Sequence, residues 1–177
     1  MALRGGEPDN EIGRWLVALA PPDGNVYATS GSLNRSSGDA DGADRGERLL
    51  RAITVQVHEL ARDAFVGWER IADGGSPMAS PAELVGLLEP ITAAAAVRFL
   101  ARFAAQDLAY GVEFVNREAA LRSATRVVDL LGPGALWWSN HDTTIGAWNP
   151  ITPCTFDGVV AGTDGTRFAV LLQLAED

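Results

Sequence analysis

The chain has 177 residues, with 14 arginines, no lysine and 23 acidic residues, for a formal net charge of −9. Apolar residues make up 47% and cysteine occurs once, which excludes a disordered chain and a disulfide scaffold. The length fits one α+β domain over residues 1–177, with enough chain to bury a core.

From the N-terminus, Arg14 to Ser30 reads as a hairpin. Trp15, Val17 and Leu19 alternate with Leu16, Ala18 and Ala20, Pro21-Pro22-Asp23-Gly24 turns, and Asn25 to Thr29 is β-prone. A short helix from Glu11 competes with this reading, because Ile12, Trp15, Leu16 and Leu19 also fit helical spacing. Residues 31–46 are rich in Gly, Ser and Asp and are expected to form a flexible loop. Their acidic residues miss the spacing of a calcium-binding EF-hand loop. Asp44 with Glu47 resembles a helix cap and its reciprocal partner.

Arg48 to Ala72 carries Leu50, Ile53, Val57, Leu60, Ala64 and Ile71 on one helical stripe. His58 lies at the stripe's edge and reads as a boundary histidine with a satisfied hydrogen bond. Val55 and Val66 read as isolated exposed residues. Ser80-Pro81-Ala82-Glu83 starts a short helix that ends at Pro90. A further helix is expected from Thr92 to Tyr110, and another, capped by Asn116, from Arg117 to Leu131, ended by Gly132-Pro133-Gly134.

Beyond Gly134 the pattern turns to strands: Ala135 to Ser139, then Thr155 to Ala161 and Arg167 to Leu174 joined through Asp164-Gly165. Runs of strands flanking a run of helices indicate α+β. The expected sheet is mainly antiparallel, built from an N-terminal hairpin and the C-terminal strands. Three to four middle helices pack on one of its faces.

Function is bounded mostly by exclusion. The acidic balance opposes nucleic-acid and anionic-lipid binding, and favours solubility and basic partners. The N-terminus has no apolar signal region, and the apolar window 84–105 is broken by Glu89, Pro90, Arg98 and Arg102. With a lone thiol, this suits a cytoplasmic protein. Without lysine there is no Schiff base and no lysine-bearing phosphate loop. No metal or cofactor motif occurs, so neither is expected.

The segment Trp137 to Phe156 holds three of the five tryptophans, His141 and Cys154. A long irregular stretch of this kind often serves as a lid or binding loop. Trp137, Trp138, Asn140, His141, Trp148 and Asn149 are the expected binding residues. His141, Asp142 and Cys154 are the candidate catalytic groups, with Ser139, Thr143 and Thr144 nearby. Two readings follow. The favoured one is a small protein-binding module, such as a regulator, inhibitor, immunity-type or accessory protein, using the Trp-rich loop. The alternative is a small-molecule enzyme or ligand-binding protein with a pocket around Trp137, Trp138, His141, Asp142 and Trp148.

Overall fold

The computed structural model describes residues 11–22, 24–33, 43–144 and 146–177. The sheet has five antiparallel strands: β1 (Val26–Ser32), β2 (Glu89–Ile91), β3 (Leu136–Ser139), β4 (Phe156–Thr163) and β5 (Arg167–Ala175). Their order across the sheet is β1-β5-β4-β3-β2. The helices are α1 (Glu11–Leu19), α2 (Ala43–Phe65), α3 (Pro81–Leu87), α4 (Ala93–Ala105) and α5 (Arg117–Leu131). The α+β class therefore holds.

Helices cover both faces of the sheet, where one covered face was expected. Residues of α1, α4 and α5 pack with Ala169, Leu171, Val160 and Trp137 on one side. Residues of α2 and α3 pack with Val170, Leu172, Leu174, Val159, Ala161 and Trp138 on the other. The two-residue period of a strand sends successive side chains to opposite faces, and here both sets are apolar. Ala169 and Leu171 in β5 signalled this second buried face, because a strand covered on both sides reads as a continuous apolar run.

The first segment also departs from the expected hairpin. Glu11–Leu19 is a helix, so the expected hairpin does not form and β1 pairs with β5. Ile12, Leu16 and Leu19 are buried at spacings of four and three, while Val17 and Ala18 are exposed. In a segment apolar on both parities, tertiary burial of the helical stripe decides the outcome.

Element ends also moved. The expected loop 31–46 is strand through Ser32 and helix from Ala43, and its residues 34–42 lie outside the described residues. Asp44 falls in the first turn of α2, and its side chain is also outside that set. The helix expected over 48–72 stops at Phe65, after which Trp68 closes two turns with Ile71 and Ala72. His58 Nδ1 sits 2.9 Å from the Ala79 carbonyl, a satisfied boundary position. The helix expected to reach Tyr110 ends at Gln106.

Three helix starts follow their local chemistry. Ser80 and Glu83 form a reciprocal capping box on α3, Thr92 caps α4, and Asn116 accepts from Glu118 and Ala119 at α5. The Asp164-Gly165 turn joins β4 to β5, with Gly165 at φ 96°.

One buried polar residue fixes a surface loop. Gln173 in β5 is fully buried; its Nε2 donates to the Phe103 and Gln106 carbonyls, and its Oε1 accepts from Leu108 N. The loop that follows α4 is thereby anchored to the centre of the sheet.

Glycine marks the tightest contact. A Cβ on Gly162 would stand 2.3 Å from the ring of buried Trp137, whereas one on Gly86 in α3 meets nothing within 4 Å. Gly162→Ala is expected to destabilise the fold by about 1–3 kcal/mol through overpacking. Gly86→Ala should stabilise it by about 0.5–1 kcal/mol through helix propensity. Urea denaturation of the two variants checks both signs.

Candidate functional site

Residues between β3 and β4 fold back as a narrow two-stranded arm. Asn149 N donates to Asn140 O (2.9 Å), Asp142 N donates to Ala147 O (2.8 Å), and His141 bridges antiparallel to Trp148. The arm is not anchored by its tryptophans alone. Its base is held by the carboxylate of Asp157, a residue of β4 that is 1% exposed.

Asp157 Oδ1 accepts from Asn140 Nδ2 at 2.8 Å. Its Oδ2 accepts from Ile151 N (3.0 Å), Thr152 N (2.8 Å) and Thr152 Oγ1 (2.8 Å). One carboxylate thus ties the outgoing end of the arm to its return. Asn140 completes the junction, since its Oδ1 accepts from Val159 N and its Nδ2 also reaches the Asn149 carbonyl. Asn149 Nδ2 donates to the carbonyl of Leu87 at the end of α3. Burial pushes the Asp157 carboxyl up to about 6, against the donors from Thr152, Ile151 and Asn140, which favour the charged form.

The candidate catalytic groups are each committed elsewhere. Buried His141 donates through Nε2 to the Asp157 carbonyl at 2.9 Å. Burial lowers its pKa; the bond to Asp157 opposes that, and the charge of Arg102 adds to it, so the ring is held neutral. Asp142 Oδ1 accepts from the Thr144 backbone and hydroxyl. Ser139 Oγ donates to Val159 O and accepts from His141 N, so it engages the backbone of His141 and not its ring. Cys154 is buried with its backbone against Gly74, and burial pushes its thiol up to about 12.

The tryptophans part company. Trp137 and Trp138 are 2% and 4% exposed and lie in cores on opposite faces of the sheet, so they line no common pocket. Trp148 alone is half-buried on the arm. It stacks on His141 (centroids 6.0 Å apart, planes at 19°) and packs against Phe156 at 5.5 Å. On its other side His141 contacts Phe103 at 4.8 Å and Phe99 at 6.1 Å, both from α4. The result is an aromatic strip running from α4 across the arm to β4, with Phe99, Trp148 and Phe156 partly exposed along it.

A separate shallow groove of about 320 Å³ runs along α5, lined by Leu121, Arg122, Thr125, Arg126 and Asp129. None of these belongs to the arm. Among the described residues, no three His, Cys, Asp or Glu side chains are grouped to hold a metal ion. No helix among them is long and apolar enough to cross a membrane.

Sequence reasoning passed over Asp157, Gln173 and the α4 phenylalanines' link to His141. Asp157 shares strand parity with Val159 and Ala161, and Gln173 with Ala169 and Leu171. A lone polar residue on an apolar parity was the available signal for both.

Folding takes up a proton at Asp157 between its ordinary value of 3.8 and its folded value of about 6. The associated stability is full below the lower value and lost as pH rises through the upper one. Asp157→Asn should remove this pH dependence. It should also cost about 2 kcal/mol at neutral pH, because its amide nitrogen would face hydrogen-bond donors. Urea unfolding of both proteins from about pH 4 to about pH 7 measures the two effects. Cys154 should resist iodoacetamide in the folded protein, reacting about a thousandfold faster once urea restores an ordinary thiol. No family model, curated protein or solved structure matches the chain, so its function is read from this geometry alone.

Proposed function

We propose that the chain is a protein-binding module of the regulator, inhibitor, immunity-type or accessory kind, and that it binds through the arm bearing Trp148. The observation carrying this reading is the partly exposed aromatic strip on a preorganised support. Tryptophan in such a setting offers large rigid contact area. An arm already fixed by Asp157, Asn140 and Asn149 loses little further freedom on binding. Chemistry finds less support, because His141, Asp142 and Cys154 serve the fold in three different ways.

The test is native mass spectrometry of the tagged chain recovered gently from its native host. A stoichiometric second polypeptide is expected with the unaltered chain and with Thr143→Ala. Trp148→Ala should lose it while keeping its far-ultraviolet circular dichroism. A lone chain carrying a small adduct, or a partner retained by folded Trp148→Ala, overturns the reading.

A further inference from the structure

The net charge is −9, yet two exposed arginines stand on α4, the helix that contributes Phe99 to the strip. Six of the twelve arginines among the described residues pair with a carboxylate. Arg51 pairs with Glu47, Arg62 with Asp63, Arg117 with Glu113, Arg122 with Glu118, Arg126 with Glu11 and Arg167 with Asp164. Arg98 and Arg102 are both exposed and, like Arg14 and Arg70, pair with no carboxylate among the described residues; what sets them apart is that both lie on α4 beside Phe99. They stand four residues apart on α4, so their side chains emerge one turn from each other on the same face. Phe99 lies between them in sequence and belongs to the aromatic strip through His141. Arg102 is followed in α4 by Phe103, whose ring centroid lies 4.8 Å from that of His141.

We infer that this surface, Arg98 and Arg102 beside the partly exposed Phe99, Trp148 and Phe156 that pack around buried His141, docks an acidic peptide segment of a partner protein that carries an aromatic or large apolar residue. The inference rests on the protein-binding reading and supplies the partner's chemistry. Guanidinium groups with no carboxylate partner among the described residues can take the partner's carboxylates in bidentate contact. The aromatic strip takes the apolar residue between them. A long polyanion such as a single-stranded nucleic acid spans well beyond the two arginines and meets the repulsion of the whole acidic chain. A short acidic segment is confined to the favourable patch. The basic partner that net charge alone would attract finds like charge here.

The experiment is selection of random twelve-residue peptides displayed on phage against the immobilised full chain, followed by fluorescence anisotropy with the enriched peptides. Enrichment of Asp or Glu beside an aromatic residue is expected. Binding should weaken about tenfold in R98Q/R102Q, and fall with added salt. It should be unchanged in R14Q/R70Q, which removes two exposed arginines elsewhere. Glutamine keeps helix propensity, so the α4 variant is expected to fold, as circular dichroism would verify. Equal binding by folded R98Q/R102Q overturns the inference. So does enrichment of basic or neutral peptides, or tighter binding of a twelve-nucleotide oligothymidylate. If such peptides still depend on Trp148, the protein-binding reading survives while the acidic partner falls. Enrichment of no peptide at all overturns both.

Discussion

A single carboxylate governs how the region between β3 and β4 is shaped. Asp157 accepts four hydrogen bonds, one from Asn140 where the arm leaves the sheet and three from Ile151 and Thr152 where it returns. Remove that acceptor and four donors lose their shared partner in a place with almost no water. The backbone carbonyl of the same residue also orients His141, which in turn carries Trp148. The exposed aromatic strip is therefore the outer end of a chain of contacts that begins at a buried charge. Burial taxes that charge, as its raised pKa records, and the arrangement persists because the donors are fixed on both sides of it.

Local chemistry was legible where one residue decides one backbone event. Ser80 with Glu83, Asn116 and Asp164-Gly165 each dictated a cap or a turn, and the structure places them so. The strands β4 and β5 were legible because β-prone runs flank that turn. Long-range facts were not. Glu11 to Ala20 is apolar on both strand parities and on a helical stripe, so only its neighbours choose. Nothing adjacent to Trp137 and Trp138 says that the sheet is covered on both faces. The core of the candidate site was hidden for the same reason: Phe99 and Phe103 meet His141 across roughly forty residues of chain, and no local spacing encodes that meeting.

Charge offers the same lesson on another scale. A total of −9 describes the field far from the molecule, where individual groups blur within a Debye length or so. Contact happens closer in, where pairing decides. Arg98 and Arg102 have no carboxylate partner among the described residues, so α4 presents two cations on a chain that is acidic as a whole. Net charge is then a guide to encounter, and a poor guide to the chemistry of the face that is finally met.

The sheet order sets when this fold can exist. β5 lies between β1 and β4, yet it comes after both in the chain. During synthesis β1 emerges long before the strand it must pair with, and it waits while α2, α3, α4 and α5 are made. The apolar stripes of α1, α4 and α5 have only part of their platform until Arg167–Ala175 arrives. Ribosome-bound chains stopped before that strand would carry formed helix caps and an open, sticky interior. Closure of the sheet must thus wait for β5, and until then its apolar partners lack the strand that covers them.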